Sequence, residues 1–415
     1  MSLARWIRRL YVDTIPDGTP YRVDENVYKR FDQRNNLTVG RPNWDPSIQN
    51  FTQRAKDTRI KHIRAHRSGY DLCDYSLFFS TGVVASKQGT SINQSNRGLT
   101  SWAALGSAAE EDLVAPDMPA ELSVWKGSPE PAAILIKRVA RYLGADLVGI
   151  APLDKRWIFS HAYWKDETHK EIVFGDIDHP QETEQQLIIP ENMKWVIVMG
   201  TKMEYDEIGF TPSPTGCAET QLIYSRMATQ VAGMAEFLRG IGYNAIPSLN
   251  DLGTSIPMAI DAGFGEQGRN GKLITPEFGP NVRLCKVITD LPLARDYPIR
   301  FGVKEFCTVC KKCAECCPSK AIPFGEPSWN GVSISNNPGV FTWQLNNDTC
   351  RKYWALGPGT NCTICIRVCP FTKNAGFLHE IVKLFISRIP ALNPILRRAD
   401  DLLGYGKEKD PGRFW

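Results

Sequence analysis

Nine of the twelve cysteines lie between Cys307 and Cys369, and this crowding restricts the fold more than any other feature. The first run is Cys307-x-x-Cys310-x-x-Cys313-x-x-x-Cys317-Pro318. Its spacing is that of bacterial ferredoxins with paired [4Fe–4S] clusters, where three thiolates hold one cubane and the fourth reaches the other. Two-residue gaps wrap a tight loop around one cluster, and Pro318 turns the chain away towards the second site. The second run has a stretched start: Cys350, eleven residues, then Cys362-x-x-Cys365-x-x-x-Cys369-Pro370. The interlocked assignment puts Cys307, Cys310, Cys313 and Cys369 on one cluster. Cys317, Cys350, Cys362 and Cys365 take the other. Cys316, beside Cys317, is a spare.

Two other uses of cysteine fit less well. A zinc site takes four ligands and leaves both C-x-x-x-C-P ends without a purpose. Disulfide frameworks belong to short, loop-rich secreted chains, not to one corner of 415 residues. Cys73, Cys217 and Cys285 stand alone and read as small buried residues. With 42% hydrophobic and 23% charged residues, the composition is that of a soluble globular protein. A net charge of +4 implies no nucleic acid or other polyanionic partner. No apolar run approaches the roughly 20 residues needed to span a bilayer. Met1–Leu10 carries Arg8 and Arg9 without the apolar stretch and cleavage site of a signal peptide.

Residues 1–129 are aromatic and polar without clear periodicity, and read as a cap or pocket wall containing Trp44, Phe51, Tyr70, Tyr75, Phe78, Phe79 and Trp102. From 130 to 300 helices alternate with buried strands. Pro131–Leu143 and Ala218–Gly240 are helical, the latter with Ile223, Met227, Val231 and Leu238 on one side. Strands are expected at Ala145–Ile150, Lys194–Met199, Tyr243–Ile246 and Val282–Thr289. This is an α/β (α+β) layered core. The cysteine module occupies 301–380, and 381–415 forms a tail packing on the core. Gly263-Phe-Gly265-Glu-Gln-Gly268 is literally G-x-G-x-x-G, but a helix at Ile256–Ala262 precedes it and a strand at Lys272–Thr275 follows. A dinucleotide site needs the opposite order. His62 and His66 stand four apart among Arg59, Lys61, Arg64 and Arg67, which reads as a solvated basic face.

Two clusters alone make an electron carrier, but three hundred residues in front of them argue that the clusters feed something bound there. Phe301–Ile322 (FGVKEFCTVCKKCAECCPSKAI) and Gly265–Ala294 (GEQGRNGKLITPEFGPNVRLCKVITDLPLA) resemble the respiratory reductive dehalogenases. The resemblance runs from about residue 130 to the C-terminus and includes the stretched second motif. It implies a nitroreductase-like corrinoid-binding core joined to a dicluster ferredoxin-like module. It also implies a cobalamin-type corrinoid bound base-off, with no protein histidine on the cobalt. His169 lies in DETHKE, outside the Asp-x-His-x-x-Gly pattern that supplies such a ligand elsewhere. The implied reaction replaces halogen by hydrogen in a small chlorinated aliphatic or aromatic compound. Cobalt reduced to Co(I) attacks at carbon or at halogen.

By the same resemblance, Tyr224 in QLIYSRMA, Asn250 in SLNDLG and Arg283 in GPNVRL match a proton-donating tyrosine, a pocket asparagine and an arginine. Tyrosine is a weak acid, and a neighbouring guanidinium stabilises the phenolate it leaves. From pattern alone Tyr224 is a boundary core residue and Arg283 a partner for a carboxylate. Gly265, Gly268 and Asn270 are the expected corrinoid contacts, the glycines letting backbone approach a bulky tail. Trp354 in RKYWALG matches a pocket-lining aromatic. The implied partners are an organohalide, a small integral-membrane anchor protein and a quinol-linked electron donor, with a homodimer left open. The implied location is the outer face of the cytoplasmic membrane after twin-arginine export, or the cytoplasm if the chain is not exported. Two alternatives stand beside this reading: an epoxyqueuosine reductase-like corrinoid enzyme and a plain dicluster electron-transfer protein.

Overall fold

The structure, a computed structural model, describes residues 3–82, 84–85, 98–103, 124–164, 167–374 and 376–415. The parts of the expected cap region at 83, 86–97 and 104–123 lie outside the described residues. Four strands form the central sheet in the spatial order Leu147–Pro152, Trp195–Lys202, Val282–Thr289, Ala245–Ser248. Every neighbouring pair is antiparallel, so the α+β sense of the expectation describes the core. Successive strand residues point to opposite faces, and this alternation feeds two cores. Ile197, Met199, Cys285 and Val287 face the helices Pro129–Tyr142 and Pro214–Gly240. Val196, Val198, Ile246 and Ile288 face the helix Ser255–Asp261 and a second sheet built from His161–Tyr163, His169–Gly175, Gln186–Pro190 and Gln181–Glu182.

Pro214–Gly240 is the longest helix and the one that positions the site. Ser213 caps it by accepting from the Gly216 N–H at 3.3 Å, and Pro214 suits the first turn. The expected stripe of Ile223, Met227, Val231 and Leu238 is fully buried. Each such side chain contributes roughly 1.5–3 kcal/mol of transfer free energy. That anchorage fixes the rotation of the helix, so Thr220, Gln221 and Tyr224 share another face, i, i+1 and i+4.

The glycine-rich segment is a hairpin. After the helix Ser255–Asp261, Glu266–Gln267 pairs antiparallel with Leu273–Ile274. Gly265 sits at φ +152, and a Cβ there would overlap the Ile274 carbonyl oxygen. A Cβ on Gly268 would meet the Ile274 side chain at 2.9 Å. The glycines therefore let the hairpin close on itself. Gly265→Ala is expected to cost about 3 kcal/mol, from backbone strain plus overlap, read as a lower denaturant midpoint.

The helices Val303–Cys310, Asn347–Leu356 and Ile364–Arg367 carry four of the eight expected ligand cysteines, Cys307, Cys310, Cys350 and Cys365. The tail helix Asn393–Leu402 packs on Val303–Cys310, and Phe377–Arg388 packs on the N-terminal helix Leu3–Arg8. Asp400 ties the tail to this module through buried ion pairs with Lys312 (2.5 Å) and Lys373 (2.7 Å).

Two expectations for the N-terminal region are corrected. His62 is buried rather than on a solvated face, 2.8 Å from the Tyr75 hydroxyl and 2.9 Å from Arg67. The helix Phe51–Arg64 ends before His66, which adopts φ 49. Burial, with Arg67 and Lys61 nearby, lowers the His62 pKa. Cys73 is exposed, whereas Cys217 and Cys285 are buried as expected.

Candidate active site and cofactor cavity

A cavity of about 850 Å³ opens between the central core, the N-terminal helices and the cysteine module. Tyr224, Asn250 and Arg283 line it, as do Cys362, Cys365 and Trp354. Phe78 and Phe79 supply apolar wall from the N-terminal region, while Tyr70 and Tyr75 pack with His62 instead. Four cations also line it, Arg59, Lys272, Arg283 and Arg351, and no carboxylate does among the described residues. A positive, partly dry cavity favours anionic groups, because charges interact more strongly there than in water.

Asn250 donates its Nδ2–H to the Tyr224 hydroxyl oxygen at 3.0 Å. That bond occupies the oxygen as acceptor and leaves the hydroxyl hydrogen free. The Arg283 guanidinium lies 5.7 Å from the Tyr224 ring centroid. Its Nη2 donates to Thr220 Oγ1 at 3.1 Å, and no carboxylate pairs with it among the described residues. The Asn250 loop is braced from below. Leu249 N and Ser248 Oγ both donate to Asp251 Oδ1, at 2.8 and 3.0 Å. Lys286, fully buried, donates to the Leu249 carbonyl at 2.9 Å and lies 3.1 Å from Ser255 Oγ. Burial pulls the Lys286 pKa down to about 8.

Cys307, Cys310, Cys313 and Cys369 line one small cavity of about 20 Å³. Cys317, Cys350 and Cys365 gather in a neighbouring cluster that Cys313 also joins, and Cys362 lies near Cys365 and Cys350. Cys317 is buried and Cys316 exposed. Among the described residues no three cysteine sulfurs lie within 4.8 Å of one another. Burial pushes the Cys307 thiol up to about 12 and the Cys350 thiol up to about 11. Such thiols ionise only against a cation, so cluster assembly here releases protons.

The donor set of the large cavity also fits a large polar cofactor. Asn361 Oδ1, Thr363 Oγ1, Arg283 Nε and Arg351 Nε are buried and lack a hydrogen-bond partner, and all four residues line it. An unmet buried group costs about 1–3 kcal/mol, which a bound amide or phosphate offsets. Among the described residues no histidine lines the cavity.

The remaining expected contacts fall elsewhere. Gly265, Gly268 and Asn270 do not line the cavity; the hairpin presents Gln267 and Lys272 to it instead. Asn270 is buried between the cysteine groups and donates to the Cys365 carbonyl at 3.2 Å. Residues that pattern reading passed over are Lys272, Arg351, Asn361, Thr363 and Lys286, while Arg59, read as part of a solvated basic face, lines the cavity. Two carried a signal: Arg351 follows a ligand cysteine, and Lys286 interrupts an apolar strand.

Tyr21, another lining residue, donates its hydroxyl to Asp261 at 2.8 Å. Burial raises the Asp261 pKa to about 7. Its raised pKa means that the folded chain holds a proton the unfolded chain has lost between pH about 4 and about 7. Stability contributed by Asp261 therefore falls as pH rises through that window and is level above it. Asp261→Asn is expected to flatten this slope, read from thermal midpoints across pH.

A family model for a 4Fe-4S dicluster domain matches residues 306–373. The tetrachloroethene reductive dehalogenase of Sulfurospirillum multivorans is 43% identical over 291 residues, 68% of this chain and 58% of that protein. The chain belongs to the reductive dehalogenase family. A tetrachloroethene reductive dehalogenase of Desulfitobacterium hafniense is 37% identical over 316 residues, 69% of this chain and 56% of that protein. The chain thus spans a little over half the length of these reductive dehalogenases. A solved reductive dehalogenase, described as suggesting a mechanism for B12-dependent dehalogenation, shares the fold. Its TM-score is 0.68 at 22% identity, covering 97% of this chain and 50% of that one. An epoxyqueuosine reductase of Lactococcus garvieae matches more weakly, 25% identical over 217 residues, 52% of this chain and 56% of that protein.

Proposed function

We propose that the chain is a corrinoid-dependent reductive dehalogenase that replaces halogen by hydrogen in a small organohalide, a chlorinated alkene before other classes. The names of its relatives motivate that substrate, and the Phe78–Phe79 wall supplies an apolar surface for it. The reaction consumes two electrons and one proton per carbon–halogen bond and releases halide. A bound corrinoid supplies a strongly reducing cobalt, and the two [4Fe–4S] clusters supply electrons singly. Cys307, Cys310, Cys313 and Cys369 would hold one cluster; Cys317, Cys350, Cys362 and Cys365 would hold the other. Arg351, Lys272, Asn361 and Thr363 would hold the polar periphery of the corrinoid.

Tyr224 delivers the proton. The single observation that carries this is the Asn250 Nδ2–H donated to its oxygen, because the bond frees the hydroxyl hydrogen and stays to stabilise the phenolate. Arg283 adds a fixed positive charge on the ring side that no carboxylate neutralises among the described residues. The cationic lining also favours departure of a halide into the cavity rather than into apolar wall.

The same reading places the chain on the outer face of the cytoplasmic membrane after twin-arginine export. There it would dock to a small membrane anchor and draw on a quinol-linked donor. No helix among the described residues is long and apolar enough to cross a membrane. Elemental analysis of the anaerobically purified, cobalamin-supplied chain tests the cofactor assignment. About one cobalt and about eight irons per chain are expected. Eight irons without cobalt would leave an electron carrier.

A further inference from the structure

Outside the cysteine module, one cluster of metal-ligating side chains plays no part in the proposed reaction. Asp32, His161 and His169 each place one ligand atom within 4.8 Å of the others. His169 Nε2 lies 3.1 Å from Asp32 Oδ1, and His161 Nδ1 lies 3.9 Å from Asp32 Oδ2. The two imidazole rings are 4.6 Å apart.

Backbone pairing builds this arrangement. His161 opposes Glu171 and Tyr163 opposes His169 in an antiparallel ladder, so the two histidines are diagonal neighbours on one face. Asp32 bridges to His161 on the other side, which brings the N-terminal segment alongside. The Tyr163 N–H donates to Gln33 Oε1 at 2.9 Å and locks that register. Other polar partners are few. Ser160 Oγ lies 3.1 Å from His161 Nδ1, and the Arg34 N–H donates to Asp32 Oδ1 at 2.8 Å. Glu171, opposite His161, is engaged by Gln186 at 3.0 Å, and Lys170 points to Glu182 at 2.9 Å.

The geometry points to a zinc-class divalent metal site formed by His161, His169 and Asp32, independent of the clusters and the corrinoid. Tetrahedral zinc with bonds of about 2.1 Å needs ligand atoms about 3.4 Å apart. His169 Nε2 at 3.1 Å from Oδ1 lies inside that spacing and His161 Nδ1 at 3.9 Å from Oδ2 lies outside it, so closing the site on one metal requires side-chain rotation. Two imidazoles and one carboxylate suit zinc rather than calcium or magnesium, which take oxygen ligands. The third ligand ties the N-terminal segment to the second sheet across 137 positions of sequence. That segment runs directly to Asn36, Thr38 and Val39, which line the large cavity. Zinc here would clamp one cavity wall in place without touching substrate.

Anaerobic equilibrium dialysis of the cluster-loaded chain against zinc tests this, with zinc and iron counted together. The native chain is expected to retain one zinc that Asp32→Asn and the double variant His161→Ala/His169→Ala do not, at equal iron content. Zinc should raise the thermal midpoint of the native chain only. His179→Ala, an exposed histidine outside the cluster, should behave as native. Asn at 32 can still accept from the Arg34 N–H, so Asp32→Asn carries the test if the double variant fails to fold. Equal zinc retention by native and Asp32→Asn chains, or none by the native chain, would overturn the site.

Discussion

Tyr224→Phe is expected to lower halide release by about 10²–10⁴-fold, the usual worth of a positioned general acid. The change removes one oxygen from a half-buried side chain packed against the central core. Folding, iron content and cobalt content should be unaltered. Asn250 then loses the acceptor of its 3.0 Å bond, and Arg283 faces a ring that cannot become an anion. Solvent must supply the proton instead. Chloride release measured beside metal content separates this chemical effect from a defect in cofactor loading. A variant that keeps full turnover would remove Tyr224 from the reaction and leave Asn250 as a substrate-placing residue. A variant that loses cobalt would recast the hydroxyl as a cofactor contact.

Cys365→Ser has the other large expected effect. Cys365 belongs to the second group of cysteines and also lines the large cavity, so it stands where electrons would pass from cluster to corrinoid. A serine hydroxyl is a far weaker iron ligand than a thiolate. The variant should fall from about eight to about four irons per chain, lose halide release, and keep the spectroscopic signature of the first cluster. Cys316→Ser is the matched control. Its exposed thiol adjoins the buried Cys317 in sequence, and its replacement should leave both iron content and turnover intact. Loss of a cluster on changing Cys316 would reverse the ligand assignment at that pair.

The cysteine spacing and the period-two strands were legible because each is a local pattern. Val282–Thr289 forms the strand expected for it, and the stripe on Pro214–Gly240 is buried as read. The trio of Tyr224, Asn250 and Arg283 was legible only through family resemblance, yet the structure does bring the three together. What escaped was whatever depends on remote segments meeting. The cations of the cavity come from four separate stretches, so no window of sequence displays their common sign. His62 looked solvated because its neighbours along the helix are charged, whereas Tyr70 and Tyr75 cover it from another segment. Gly265 and Gly268 looked like a cofactor loop because glycine marks close approach without saying what approaches. Here it is the Ile274 strand of the same hairpin.

The most direct test of the proposed activity is chloride release from tetrachloroethene by the anaerobically loaded chain, driven by a reduced viologen dye. The expected result is one chloride per two electrons consumed, with a product carrying hydrogen in place of the lost chlorine. A chain loaded with cobalt and both clusters that releases no chloride from this or other organohalides, while reducing epoxyqueuosine in tRNA, would contradict the proposal.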